Sequence, residues 1–392
     1  MLSYRPLGEH DIDQYVALER YAFNMALDRA GPDAARVAQL RGLFVDAQLA
    51  TQLELLPMRV QAGAGELAAM GIGGVASAPA FRRRGYVASL LRHVADELRE
   101  QGVALALLYP FKPSFYRRYG WASFFERRVY SGPPARFAPF RAAPGVWLQA
   151  GPDQADEFDR IYRGALRGRF GPLVRDTAWW RDRILHDDRR RPCYAYIWRD
   201  EHGQGRSYLV YQLEASDNGL QLTIRDLVAL DPTARAQLFH FIAGHQDQVQ
   251  QVRFRAPTDA PVNLLFPEPL ACSVQPDMML RLLDVPAALA QYPFPPTVAG
   301  RLTLAVSDDW IAANQGVFAL EWAAGHCQVT RLPDAASADL GCDVAVLAQL
   351  YSRYLRPRTA AAFGVLAAHS RAALELMERA FVGLAPFCSD RF

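Results

Sequence analysis

Lysine is nearly missing from this chain: Lys112 is the single lysine among 43 lysines and arginines in 392 residues. The bias reads as genomic composition and leaves little amine on the protein for self-modification. Cysteine is scarce as well. Five residues, at positions 193, 272, 327, 342 and 388, are odd in number and contain no C-x-x-C pair. That excludes a disulfide framework and a thiolate zinc site, and it suits a reducing cytoplasm. No apolar run approaches the length of a membrane span, and Met1 to Leu7 has no apolar signal core, so a cytoplasmic protein is expected. Net charge is only +2, which gives no field for nucleic acid or an anionic membrane. Neither G-x-x-x-x-G-K-[ST] nor G-x-G-x-x-G occurs, so nucleoside triphosphate and dinucleotide loops are excluded.

What is present is an ordinary globular composition, 51% hydrophobic and 21% charged, in a chain long enough for two or three domains. The most informative stretch runs from Val75 to Gly120. Val75-Ala76-Ser77 reads as a strand end whose free backbone edge can pair with an amide-rich arm. Arg82-Arg83-Arg84-Gly85 follows, and apolar positions 87, 90, 91, 94 and 98 then fall on one helical face, so a helix is predicted from Tyr86. A glycine at a helix start lets the backbone approach a ligand, and the first amides point at it. This is an anion cradle suited to a pyrophosphate, with arginines supplying charge.

Two patterns carry a family resemblance. Arg82-x-x-Gly85 after Val-Ala-x-x-Pro, with Phe115-Tyr116-Arg117-Arg118-Tyr119-Gly120 downstream, resembles the GNAT N-acetyltransferase superfamily. Tyr109-Pro110-Phe111 ahead of Phe115-Tyr116, in a chain of this length ending in phenylalanine, is similar to the Eis (enhanced intracellular survival) family. One departure is Val87, which stands two residues after Gly85 where the superfamily usually has Gly or Ala; Ala88 comes next. The resemblance implies an α+β chain of tandem GNAT domains, mixed sheets flanked by helices, followed by a sterol-carrier-protein-like α+β domain. The implied segments are 1–145, 146–287 and 288–392. It further implies acetyl-CoA as cosubstrate without a metal, a small-molecule or peptide amine as acceptor, and a homohexamer. The expected cosubstrate-binding residues are Val75, Ala76, Ser77, Arg82, Arg83, Arg84, Gly85, Tyr86, Val87, Ala88, Phe111 and Lys112.

Elsewhere the pattern is readable in outline. A strand is expected over Ser3–Leu7, a helix over His10–Phe23, strands near 51–60, 65–77 and 103–109, and a Pro/Gly-rich break from Ser131 to Gly145. Val228-Ala229-Leu230-Asp231-Pro232-Thr233-Ala234-Arg235 matches residues 75–82 at V-A-x-x-P-x-x-R, a candidate internal repeat. Ala236, Gln237 and Leu238 replace Arg83, Arg84 and Gly85, so the second copy is expected to bind no coenzyme A. In the last hundred residues strands are expected near 302–306, 316–323 and 326–331, with helices near 343–354 and 371–382.

Acetyl transfer from a thioester to an amine needs a held thioester, a neutral amine, support for the oxyanion and a proton for the leaving thiolate. By the resemblance, Tyr116 is the general acid, with Tyr119 three residues away left as structural. An unperturbed phenol near 10 facing a thiol near 8.5 makes proton transfer uphill by roughly 2 kcal/mol, so a strengthening hydrogen bond is expected to precede donation. The eight histidines are scattered and none sits in an evident motif with a carboxylate. The resemblance assigns the base to the α-carboxylate of Phe392, which is chemically reasonable when that terminus is buried. The compact aromatic ending Ala385 to Phe392 suits a docked tail. Glu19, Asp28 and Asp390 are candidate acids for drawing a cationic acceptor, and Phe23 and Asn24 candidate pocket residues. The competing reading is a coenzyme A-binding protein without transfer activity.

Overall fold

The computed structural model describes residues 1–24, 31–186, 192–217, 219–333 and 335–392, and three sheets organise them. The first sheet runs in the order Leu2–Pro6, Leu40–Val45, Gln48–Ala62, Gly65–Ser77, Leu105–Leu108, Met279–Leu282 and Ala122–Ser123, with Phe170–Leu173 added beside the long strand 48–62. Gly63, at φ +59°, turns the hairpin between its two longest strands. All pairings in this sheet are antiparallel except one: Gly65–Ser77 runs parallel to Leu105–Leu108.

Alternation along Leu105–Leu108 explains how this sheet is covered. Ala106 and Leu108 face the helix Tyr86–Glu100, whose Leu90, Leu91, Val94, Ala95 and Leu98 are all buried. Leu105 and Leu107 face the opposite way, into a core shared with Leu304, Leu320 and Leu347 of the C-terminal part. A strand buried on both faces must be continuously apolar, as Leu-Ala-Leu-Leu is. The helix begins at Tyr86 as its periodicity predicts.

The second sheet has the order Ala271–Pro276, Glu126–Gly132, Gln251–Pro257, Gly219–Ala229, Gly205–Ser216, Tyr194–Asp200 and Gly145–Gln149. The helix Ala155–Leu166 covers one face and Pro232–Ala243 the other. The third sheet, His326–Arg331, Gly316–Ala323, Gly300–Ser307, Leu340–Asp343 and Ala367–Ala368, packs with the helices Val344–Tyr351 and Arg371–Ala380. The first two sheets exchange strands. Glu126–Gly132, inside the expected segment 1–145, pairs in the second sheet with Gln251–Pro257. Met279–Leu282, inside 146–287, pairs in the first with Leu105–Leu108. Among the described residues no helix is long and apolar enough to cross a membrane.

Candidate active site

The parallel pair in the first sheet is short. It joins Met70, Gly71 and Ile72 to Ala106, Leu107 and Leu108, and beyond it the two strands separate into a fork. A bulge sharpens the parting: Leu53 lies opposite the two residues Gly74 and Val75, since Glu54 pairs with Gly73 and Gln52 with Ala76. Gly74 meets the geometry at φ +59°. Past the bulge, the Ala76 carbonyl accepts from the Thr51 hydroxyl at 2.7 Å, and the Ala78 N–H donates to the Ala50 carbonyl at 3.0 Å. Strand alternation therefore turns the backbone groups of Val75 and Ser77 toward the open side of the fork. There they can pair with an amide-bearing arm.

At the mouth of the fork lies the arginine turn. Arg82, Arg83, Arg84 and Gly85 are exposed, and none of the three arginines forms an ion pair among the described residues. Arg82 lies over the Tyr21 ring at 5.3 Å and Arg84 over Phe81 at 5.8 Å, contacts that keep their charge uncompensated. Gly85 has φ +79°, and a Cβ there would meet no protein atom within 4 Å, so open space and the left-handed backbone coincide. The helix has no side-chain cap. Its first internal bond runs from the Ser89 N–H to the Gly85 carbonyl at 3.0 Å, so the amides of Tyr86, Val87 and Ala88 point forward unused. Val87 faces the core cluster and stays clear of this surface. Unpaired arginines, free amides and an open strand edge together fit a pyrophosphate with a pantetheine arm.

Beyond Leu108 the chain passes exposed Phe111 and Lys112 into the short helix Pro113–Arg117, which carries Tyr116. The Tyr116 ring is 2% exposed, packed edge-on to Phe111, Phe115 and Trp121. Burial pushes its phenol well above the ordinary range. Its hydroxyl makes no hydrogen bond among the described residues, yet is not one of the sealed polar atoms lacking a partner. Tyr119 instead packs against Trp310 at 5.6 Å, on the C-terminal part, in keeping with a structural role.

The tail is docked. Asp390 has a fully buried carboxylate that accepts from Arg175 Nε at 2.9 Å and from Trp179 Nε1 at 2.9 Å. Arg175, itself buried, bridges to Asp226 at 2.7 Å and donates to Ser389 Oγ at 3.1 Å. The Tyr109 hydroxyl donates to the Asp390 carbonyl, and the Phe392 ring lies 5.1 Å from Tyr109. Gly71 makes room for that ring, since a Cβ at this position would stand 2.9 Å from Phe392 Cε2. Residue 392 thus meets the last paired rung but one below the fork. Tyr109, Arg175, Asp226 and Gly71 gave no functional signal in sequence beyond the Tyr109-Pro110 pattern and the glycine-rich run 71–74.

The expected acceptor acids are otherwise engaged. Glu19 pairs with Arg36 at 2.9 Å, and Arg36 also holds Glu54 at 3.0 Å. Asp390 is held by Arg175, and Asp28 lies outside the described residues. Phe23 and Asn24 are exposed at the end of the first helix, where Asn24 takes φ 50° as its cap.

Comparison with known proteins agrees with this architecture. Two acetyltransferase (GNAT) domain families match, one over residues 3–124 and another over 171–282, and a sterol carrier protein domain family matches 285–389. An uncharacterized N-acetyltransferase of Streptomyces griseus is 30% identical over 320 residues, covering 74% of this chain and 73% of its own. The N-acetyltransferase Eis of Mycobacterium bovis is 28% identical over 378 residues, covering 92% and 86%. The chain belongs to the Eis-like GNAT N-acetyltransferases. A GCN5-related N-acetyltransferase from Anabaena variabilis superimposes with a TM-score of 0.89 at 26% identity over the full length of both chains. The enzyme is therefore an acetyltransferase that uses acetyl-CoA, built from two GNAT domains and a sterol-carrier-like domain.

Proposed function

We propose that this acetyltransferase modifies a primary amine of the aminoglycoside, polyamine or lysine type by direct attack in a ternary complex, with Tyr116 as acid and the Phe392 α-carboxylate as base. The observation that carries the reading is the docked tail, whose Phe392 ring rests on Gly71 at the base of the fork. The Val75 and Ser77 edge would hold the pantetheine arm, and the amides of Tyr86 to Ala88 with Arg82, Arg83 and Arg84 the phosphates. Phe111 and Lys112 would flank the arm on the other side of the fork. The acceptor ammonium loses its proton to the terminal carboxylate, directly or through water, and the neutral amine attacks the thioester carbonyl. A backbone N–H of the bulged strand would support the oxyanion.

As the carbon–sulfur bond breaks, Tyr116 donates a hydrogen bond to the sulfur and then its proton, while the attacking nitrogen releases its extra proton to solvent, from which the phenol is reprotonated. Because burial holds the phenol's pKa high, donation follows rather than precedes charge on sulfur. Glu19 and Glu54 share the one guanidinium of Arg36, and Asp390 and Asp226 that of Arg175, so each of these groups keeps a net negative charge, which suits a cationic acceptor. We further propose that the chain works in the cytoplasm as a homohexamer, on the strength of its family.

An acetyl-CoA consumption screen over monoamines, polyamines and aminoglycosides tests the activity, with two variants testing the chemistry. Tyr116→Phe is expected to lower kcat by more than about tenfold with acetyl-CoA affinity unchanged. A short C-terminal extension is expected to abolish transfer while leaving coenzyme A binding intact. Normal turnover in the extended protein would remove the terminal carboxylate from the mechanism.

A further inference from the structure

The central domain repeats the fork of the first. Its one parallel pairing joins Gln221, Leu222 and Thr223 to Gln251, Val252 and Arg253, and the strands then separate. A bulge at Arg225 helps them part, because Val210 pairs with Asp226 and Tyr211 with Ile224. The gap holds a cavity of about 430 Å³. That lies within the ~300–1,000 Å³ of ordinary small-molecule sites.

The anion cradle of the first fork has no counterpart here. Pro79 opens a 3-10 turn ahead of the arginines, whereas Pro232 is already the first residue of the helix Pro232–Ala243. Asp231 caps that helix, accepting from the Ala234 N–H at 2.8 Å while paired with Arg206 at 2.7 Å. A carboxylate of the chain thus occupies the position where a pyrophosphate would dock, and it repels one.

The cavity is nonetheless chemically defined. Ile224, Phe239, Phe254 and Leu265 give it an apolar wall, and the exposed Leu264 stands at its rim. Of its lining arginines, Arg169 is held by Asp259 at 2.8 Å and Arg225 donates to the Arg183 carbonyl at 3.0 Å. The side chains of Arg235 and Arg255 make no hydrogen bond or ion pair among the described residues. The carboxylate near Arg255, Asp277, is taken by Arg127 and by Arg391 at 3.7 Å. Burial, reinforced by Arg127 and Arg391, brings the Arg255 pKa down to about 10, the mark of a cation short of an anion. Phe387 and Ser389 of the docked tail close the other end.

We propose that this central fork is a second ligand site, which takes a carboxylate carried on a medium-length apolar chain. Arg255 binds the anion, and the wall of Ile224, Phe239 and Phe254 holds the chain. The occupant touches Phe387 and Ser389, so it bears on the segment that ends at Phe392.

Calorimetric titration of decanoate into the full-length protein saturated with coenzyme A tests this, because the first fork is then filled. Saturable binding is expected, with hydrogen-exchange protection at residues 224–229, 254–262 and 385–389. Arg255→Gln should weaken it about tenfold or more, and decanol should bind about tenfold or more weakly than decanoate. Ala256→Leu, which fills the cavity, should abolish binding, with retained coenzyme A affinity reporting that both variants are folded. Absence of binding overturns the proposal, as does equal affinity for decanol, or an Arg255→Gln variant that binds normally. Protection confined to residues 73–77 and 82–88 would overturn it as well, by assigning the ligand to the first fork.

Discussion

Asp390→Asn separates the position of the tail from the cosubstrate site. The substitution keeps the side chain's shape but removes the charge facing Arg175 in a fully buried setting. Breaking one partner of a buried ion pair typically costs ~3–5 kcal/mol. Here Asp226 still compensates the guanidinium at 2.7 Å, and the amide oxygen can keep the bond from Trp179 Nε1. The loss should therefore be about 2–3 kcal/mol, or roughly 30- to 150-fold in the ratio of docked to undocked tail. Hydrogen exchange over residues 385–392 reads the undocking, steady-state kinetics the consequence. Faster exchange should accompany a fall in kcat of about tenfold or more, with acetyl-CoA affinity unchanged, because the arginine turn stands apart from this pair. If exchange quickened while kcat stayed within about twofold, the placement of Phe392 would have no part in turnover.

Three further outcomes follow from the same geometry. Arg82→Glu with Arg83→Glu should weaken acetyl-CoA binding by about tenfold or more, most strongly at low salt; equal affinity by calorimetry would disprove the cradle. Gly71→Ala places a methyl against Phe392 and Met58 Cε, so it should reduce kcat while leaving coenzyme A affinity and helix content unchanged; wild-type kinetics would show that the ring has another resting place. Because burial raises the Tyr116 pKa, its acid form persists as pH rises, and kcat/KM should climb with deprotonation of the acceptor amine without an alkaline fall below about pH 10. A falling limb centred near pH 9 would assign the acid elsewhere.

Local periodicity made the helix Tyr86–Glu100 legible, because its buried face repeats at a spacing no strand shares. The strands of the last hundred residues were legible for a similar reason, their pairs being neighbours in sequence. Glu126–Gly132 also looks like a strand, yet nothing local tells it to pair with residues 251–257 and 271–276. Arg175 illustrates the limit at the site: one arginine among many, it gains meaning only when Asp226 and Asp390 arrive from distant segments. The short helix Ala34–Gln39 and the strand Leu340–Asp343 carried too few residues for a pattern to emerge. In the internal repeat, sequence showed the missing arginines but not the cavity left between the parted strands.

The exchange of strands between the first two sheets bears on how the chain is made. During synthesis, Leu105–Leu108 emerges with a bare apolar edge, and its partner Met279–Leu282 is translated only after every strand of the second sheet. The cosubstrate fork therefore cannot be finished as a free-standing unit at the ribosome, and the two domains must mature together as one cooperative body. A fragment ending near residue 124 would keep every residue of the arginine turn and still present an unpaired strand to its neighbours, so aggregation rather than a minimal acetyltransferase is its natural fate.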